Sequence, residues 1–277
     1  TIEDIPFLPI QFFKTRSVLS SNQPIEKTFT SSGTTGSVTS KHLITDLNIY
    51  EQSFIKGFNH FYGNIDDYVI LGLLPSYLER DGSSLIYMVD KLITLSDKRE
   101  SGFYLNEFET LKNTLLDLES RQQKTLLIGV SFALLEFIET YQLNLKHTIV
   151  METGGMKGRR KELIRNELHH ELCNGFGTAS IHSEYGMTEL LSQAYSKGNG
   201  IFECPPWMQI LVRDTEDALT LLPNKKSGGI NIIDLANINS CSFIATQDLG
   251  KKHNNNTFEI LGRFDHSDIR GCNLMVM

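Results

Sequence analysis

A series of short apolar runs, with amphipathic helical stripes between the earlier ones, constrains this chain more than any other feature. YVILGLL (68–74), TLLIGV (125–130), HTIVM (147–151), ASIHSEY (179–185), WMQILVR (207–213), INIIDL (230–235), SFIAT (242–246) and TFEIL (257–261) have the length and side chains of buried strands. Leu105, Phe108, Leu111, Leu115 and Leu118 keep three- and four-residue spacing, as do Leu134, Leu135, Ile138 and Tyr141, so each set makes one apolar helix face. This alternation predicts an α/β fold with a parallel sheet and crossover helices to about residue 195. Beyond it the strands crowd together around Pro205-Pro206, Pro223-Asn224, Gly228-Gly229 and KKHNNN (251–256), which predicts an antiparallel β section. The organisation expected is an α/β core over residues 1–200, a β-rich part of the same core over 201–262, and a short tail over 263–277.

With 277 residues, 40% hydrophobic and 21% charged, the chain can bury a proper core unaided. Its net charge of -7 argues against a nucleic-acid surface, which draws on clustered Lys and Arg. Cys173, Cys204, Cys241 and Cys272 stand singly, with no C-x-x-C pair and no His at ligand spacing. Neither a zinc site nor a disulfide framework is indicated, and a reducing cytoplasm is expected. No apolar run approaches the roughly 18 residues of a membrane span, and TIEDIPFLPIQFF is acidic and proline-bearing where a secretory signal would be basic.

In an α/β fold, ligands collect beyond the carboxyl ends of the strands. TSSGTTGSVTSKH (30–42) packs Thr30, Ser31, Ser32, Thr34 and Thr35 around Gly33 and Gly36. This is equally the composition of a flexible linker, and the P-loop pattern is not met. Its glycines nevertheless let backbone N–H groups approach an anion, and its hydroxyls add donors. In METGGMKGRRKELIR (151–165), a strand ends in Gly154-Gly155 and a helix is expected to open with Lys157, Arg159, Arg160 and Lys161. Cations there cost about 0.3–1 kcal/mol each against the helix dipole, a sign that a nearby anion would reverse; the alternative is a solvated basic face. In HSEYGMTELLSQAY (182–195), a strand runs into Gly186 and an expected helix start, with Thr188 and Glu189 at the turn. A hydroxyl can donate to phosphate there and a carboxylate can hold Mg²⁺, although a plain helix cap explains the pattern too. His182 and Ser183 read as packing or hydrogen-bonding residues.

Two nucleophiles are possible. In GVSFALLEF (129–137), Ser131 follows a strand and precedes a helix, but Ala133 stands where a nucleophile elbow needs glycine. A triad would need an Asp and a later His such as His253 or His266, and a helix N-cap is the simpler reading. Cys272 lies near the end of the chain beside Arg270, which would favour a thiolate; a small buried hydrophobe is the alternative.

Taken in order, SSGTTG (31–36), Gly154-Gly155, Tyr185-Gly186-Met187-Thr188-Glu189, Asp248 within ATQDLG, and Gly262-Arg263-Phe264-Asp265 resemble the motifs of the adenylate-forming superfamily of acyl ligases. FLPIQFFK, LLPSYLERDGSSLIYMV, METGGMKGRR, HSEYGMTELLSQAYS, PPWMQILVRD and DIRGCNLM further resemble the acyl-protein synthetase component of the bacterial luciferase fatty-acid reductase system, a likeness spanning essentially the whole chain.

The resemblance implies the large-domain fold of that superfamily, lacking its small C-terminal domain, since the chain stops 12 residues after Asp265. It implies an acid–thiol ligase that activates a long-chain fatty acid with ATP and Mg²⁺ and moves the acyl group to Cys272, then to an acyl reductase partner; a homo-oligomer is left open. Ser31, Ser32, Gly33, Thr34, Thr35 and Gly36 would cradle pyrophosphate. Gly154, Gly155, Tyr185 and Gly186 would flank adenine, Asp248 would bind ribose, Thr188 would meet the α-phosphate and Glu189 would hold Mg²⁺. The loop lacks the superfamily's Pro-Lys, leaving the role of Lys41 open, and Arg263 is the candidate for the cation that the missing domain would bring. Coenzyme A as acceptor and a serine acyltransferase built on Ser131 remain as alternatives.

Overall fold

The structure is a computed structural model that describes residues 1–31, 38–75, 82–105, 107–154 and 163–264. The chain opens with β1 (Leu8–Pro9), α1 (Phe12–Thr15), the hairpin β2 (Lys27–Thr30) and β3 (Lys41–Ile44), and α2 (Leu47–Tyr62). An alternating part follows: β4 (Val69–Leu73), α3 (Ser84–Ser96), β5 (Gly102–Phe103), α4 (Phe108–Ser120), β6 (Thr125–Val130), α5 (Ser131–Thr140), β7 (Thr148–Thr153), α6 (Arg165–Phe176) and β8 (His182–Tyr185). Among the described residues, strands then dominate: β9 (Ala194–Ser196), β10 (Ile201–Glu203), β11 (Met208–Arg213), β12 (Ser227–Asp234), β13 (Phe243–Lys252) and β14 (Phe258–Arg263).

All but the hairpin join one 12-stranded sheet in the order β11-β12-β13-β14-β10-β9-β8-β7-β6-β4-β5, with β1 parallel to β13. Pairing is parallel from β5 through β4, β6 and β7 to β8, and antiparallel from β8 to β11. β8 is therefore the strand at which the sheet changes character, close to the boundary predicted from the sequence. The residue patterns explain the change. Every residue of β4 and β6 is buried, as in a parallel sheet covered on both faces, whereas β13 alternates strictly between buried and half-buried positions.

One core lies around β4, β6 and β7 and their helices, and a second beneath β10–β14. Helix α2 presents Tyr50, Phe54, Phe58 and Phe61 to the first at three- and four-residue spacing. The Asp46 carboxylate caps its start by accepting from Asn48 N–H at 3.1 Å. Each such buried ring contributes about 1.5–3 kcal/mol relative to exposure. Among the described residues, no helix is long and apolar enough to cross a membrane.

Two local expectations are corrected. Ser131 is the first residue of α5 and is no N-cap: Val130 occupies that position without a side-chain cap, and the Ser131 hydroxyl turns inward. No helix starts after Gly186, where the chain makes a turn at Thr188-Glu189 and proceeds to β9. The basic helix start expected at Lys157–Lys161 lies outside the described residues, and α6 itself begins at Arg165.

Helices α5 and α6 touch at Gly175, where a Cβ would stand 2.4 Å from the Ile138 Cβ. Alanine is the better helix former by about 1 kcal/mol, but such an overlap costs about 1–3 kcal/mol, so packing wins. Gly175→Ala is expected to lower stability by up to about 2 kcal/mol in urea denaturation; increased stability would contradict this contact.

Candidate functional site

The carboxyl ends of β7 and β8 open into a cavity of about 360 Å³. Thr153 and Gly154 come from the end of β7, and Glu184 through Glu189 from β8 and its turn. Thr30, Ser31 and Ser40 come from the hairpin, Ser83 to Leu85 from the start of α3, Gln11 and Lys14 from the α1 region, and Thr246 to Asp248 with Arg263 from β13 and β14. The site thus sits where the strand pairing changes, the usual place for a ligand in an open α/β sheet.

The turn after β8 is held from outside itself, which is why it is not a helix. Fully buried Asp234, at the end of β12, accepts from the N–H groups of Leu191 and Ser192 at 2.8 and 3.0 Å and from the Ser192 hydroxyl at 2.6 Å. Ala236 N–H donates to the same carboxylate at 3.1 Å. Burial raises the Asp234 pKa, against the lowering effect of these bonds. The Asn237 amide donates to the Glu189 carbonyl at 2.8 Å, and the buried His42 ring donates from Nδ1 to the Thr188 carbonyl at 2.7 Å. Burial takes His42 down to about 4, while its hydrogen bonds to the Thr188 carbonyl and, from Nε2 at 2.9 Å, to the Asn237 side-chain oxygen act in the opposite direction. Phe13 packs edge-on against His42 with ring centroids 5.4 Å apart, tying α1 to the hairpin and setting Lys14 on the cavity wall.

The electrostatics centre on three carboxyl groups. Glu189 is 6% exposed; burial raises its pKa, and the lowering by a hydrogen bond from the Ser40 side chain and by the charges of Arg263 and Lys14 does not offset it. Asp248 accepts from the Tyr185 hydroxyl at 2.7 Å and pairs with Arg263 Nε at 3.3 Å. Arg263 is 72% exposed, so this pair contributes at most about 1 kcal/mol to stability and leaves the guanidinium available to a ligand. Glu184 accepts from the Thr153 hydroxyl at 2.6 Å, yet burial pushes its pKa up to about 7. A Cβ on Gly186 would stand 2.3 Å from the Glu184 carboxylate, so the glycine makes room for this acid.

Ser31, Gly154, Tyr185, Gly186, Thr188, Glu189, Asp248 and Arg263, singled out along more than 230 residues of sequence, all line this one cavity. Ser32, Gly33, Thr34, Thr35, Gly36, Gly155 and Cys272 lie outside the described residues. Lys41 is exposed on β3 and is not among the described residues of the lining. His182 packs against Tyr62, and Ser183 contacts His169 at 3.4 Å. Ser131 is 2% exposed and donates to the Gly154 carbonyl at 3.0 Å and to Glu152 at 3.3 Å. His169 stands on the other side of Glu152, at 3.5 Å, so acid lies between it and the serine; His253 pairs with Glu259 at 2.8 Å, and His266 lies outside the described residues. Sequence reasoning missed Lys14, Glu184, Asp234 and His42. Lys14 ends FLPIQFFK, Glu184 lies within HSEYGMTELLSQAY and His42 ends TSSGTTGSVTSKH, so signals were present; Asp234 acts through contacts distant in sequence.

No protein-family model matches the chain, and no curated protein does. Solved structures do. ATP-bound MatB from Rhodopseudomonas palustris matches with a TM-score of 0.66 at 20% identity, covering 88% of this chain and 49% of that one. A long-chain-fatty-acid-CoA ligase, FadD1, from Archaeoglobus fulgidus matches at 0.61 and 14% identity, covering 86% and 51%. The luciferase-like enzyme of the nonluminescent mealworm Zophobas morio matches at 0.57 and 16% identity, covering 89% and 59%. The chain spans about half the length of these proteins, and the likeness shows the fold: the large-domain fold of adenylate-forming enzymes.

Asp234→Ala leaves several buried donors unpaired at about 1–3 kcal/mol each, so a loss of about 3 kcal/mol or more is expected in urea denaturation, and Asp234→Asn should lose less. Glu184 gives a pH dependence. Its folded pKa of about 7 exceeds its ordinary 4.5, so between those values the native state holds a proton that the unfolded chain has released. Its contribution to stability is complete below about pH 4.5 and is lost as pH rises through about 7. Glu184→Gln is expected to flatten that part of the stability profile; an unchanged slope would rule out the assignment.

Proposed function

We propose that this chain is an acyl-activating ligase that condenses a long-chain fatty acid with ATP to an acyl-adenylate, then passes the acyl group to Cys272 for delivery to an acyl reductase. The observation that carries this reading is the convergence of residues from five separated motifs on one cavity at the change in strand pairing. In the first step the fatty-acid carboxylate attacks the α-phosphorus, the bond to the β-phosphate oxygen breaks, and pyrophosphate leaves.

Ser31 and the loop to Gly36 hold the departing pyrophosphate through backbone N–H groups and hydroxyls. Thr188 donates to the α-phosphate. Tyr185, Gly186 and Gly154-Gly155 flank adenine, and Asp248 accepts from the ribose hydroxyls. Lys14 and Arg263 face the charge that develops on the transferring phosphate, where fixed cations stabilise the transition state most. Glu189 suits Mg²⁺ because it is a buried carboxyl whose charge its protein neighbours leave under-compensated, and Mg²⁺ takes one or two protein carboxylates with substrate oxygens completing its shell. When bound, the ion supplies charge neutralisation at the phosphate oxygens. In the second step the Cys272 thiolate attacks the acyl carbonyl, the bond to the AMP oxygen breaks, and a thioester remains.

A second reading, with coenzyme A as acceptor, draws on the fatty-acid-CoA ligase among the similar folds. Incubation with ATP and radiolabelled palmitate, with and without coenzyme A, separates the two. The protein is expected to gain hydroxylamine-labile label, and Cys272→Ser to lose it while still forming pyrophosphate. Acyl-CoA formation at full rate by Cys272→Ser, with no label ever on the unaltered protein, would replace the protein-thioester reading.

A further inference from the structure

A second cleft, of about 500 Å³, is lined by residues of the β10–β11 connection, β11, the end of β12 and the β13–β14 turn, and shares none of them with the first cavity. Trp207, Met208, Ile210, Ile233 and Leu235 give it apolar walls. Lys252 also lines it. In β13 every second residue from Ile244 is buried, and the last of these positions is this lysine. Lys252 is only 9% exposed.

Partial burial of a lysine carries a desolvation cost that a paired charge would offset. Among the described residues, Lys252 makes no ion pair and its ammonium donates no hydrogen bond. Burial lowers its pKa, with only Cys204 acting in the opposite direction. Cys204 cannot serve as the counter-ion, because burial pushes its thiol up to about 12 and keeps it neutral. Glu203, the other charged residue of the lining, is exposed and does not pair with the lysine.

We propose that this cleft binds an aliphatic monocarboxylate, with the carboxylate on Lys252 and the chain against Trp207, Met208 and Ile233. One buried cation matches one negative charge, whereas a phosphate group would call for more cations than the described lining holds. The nearby Asn256 side-chain amide adds a donor that can serve the second carboxylate oxygen. This binding is separate from the acyl-activating reaction above and does not depend on it.

Trp207 is the only tryptophan in the chain, and its indole N–H is fixed to the Ser53 hydroxyl at 3.0 Å, so its emission reports on this cleft. Titration with octanoate, without nucleotide, is expected to change that emission saturably, while octanol and octylamine at equal concentrations do not. Lys252→Met should weaken octanoate binding about tenfold or more, the loss of a charge-assisted hydrogen bond. Lys252→Arg should retain binding. The proposal is overturned if octanoate gives no saturable change, if octanol binds as well as octanoate, or if the folded Lys252→Met variant binds octanoate as tightly as the unaltered protein.

Discussion

The carboxylate of Asp234 is the contact on which the rest of the site depends. Thr188-Glu189 could have begun a helix and satisfied its own backbone. Instead Asp234 accepts the N–H groups of Leu191 and Ser192, while His42 and Asn237 donate to the carbonyls of Thr188 and Glu189. These partners come from β3 and from the end of β12 and the turn after it, so one short turn joins the hairpin, the parallel part of the sheet and the antiparallel part. A hydroxyl and a carboxylate are thereby held at the cavity wall by groups that face away from it.

The same arrangement explains the charge balance. Placing Glu189, Glu184 and Asp248 around one cavity costs desolvation, visible as raised pKa values in all three. Hydroxyl donors from Ser40, Thr153 and Tyr185 offset part of that cost, and Lys14 and Arg263 add positive charge near Glu189. For Glu189 the balance still falls short of an ordinary carboxylate, a condition suited to a cation that arrives with its substrate and leaves with the product.

Much of the fold was legible in the sequence because burial on both faces and burial on one face leave different patterns. TLLIGV is apolar throughout and forms a doubly covered parallel strand, and the closely spaced runs after residue 195 form the antiparallel section. The stripe Leu111, Leu115 and Leu118 likewise forms the buried face of α4. The turn after Gly186 was not legible, since its local residues suit a helix start and the groups that prevent one lie more than 40 residues away. Ser131 misled for a related reason: a serine before a helix commonly caps it, but a buried carbonyl and carboxylate across the sheet compete for this hydroxyl. Most candidate-site residues lie within local motifs, whereas Asp234 acts on the turn through contacts distant in sequence.

The central claim is that the cavity beyond β7 and β8 joins a carboxylic acid to AMP. Exchange of labelled pyrophosphate into ATP tests it most directly, because only reversible adenylate formation returns the label to the nucleotide. The account predicts exchange that requires fatty acid, survives Cys272→Ser, and falls about a hundredfold or more in a folded Glu189→Gln variant. Exchange that proceeds without any acid, or that Glu189→Gln leaves at full rate, would contradict it.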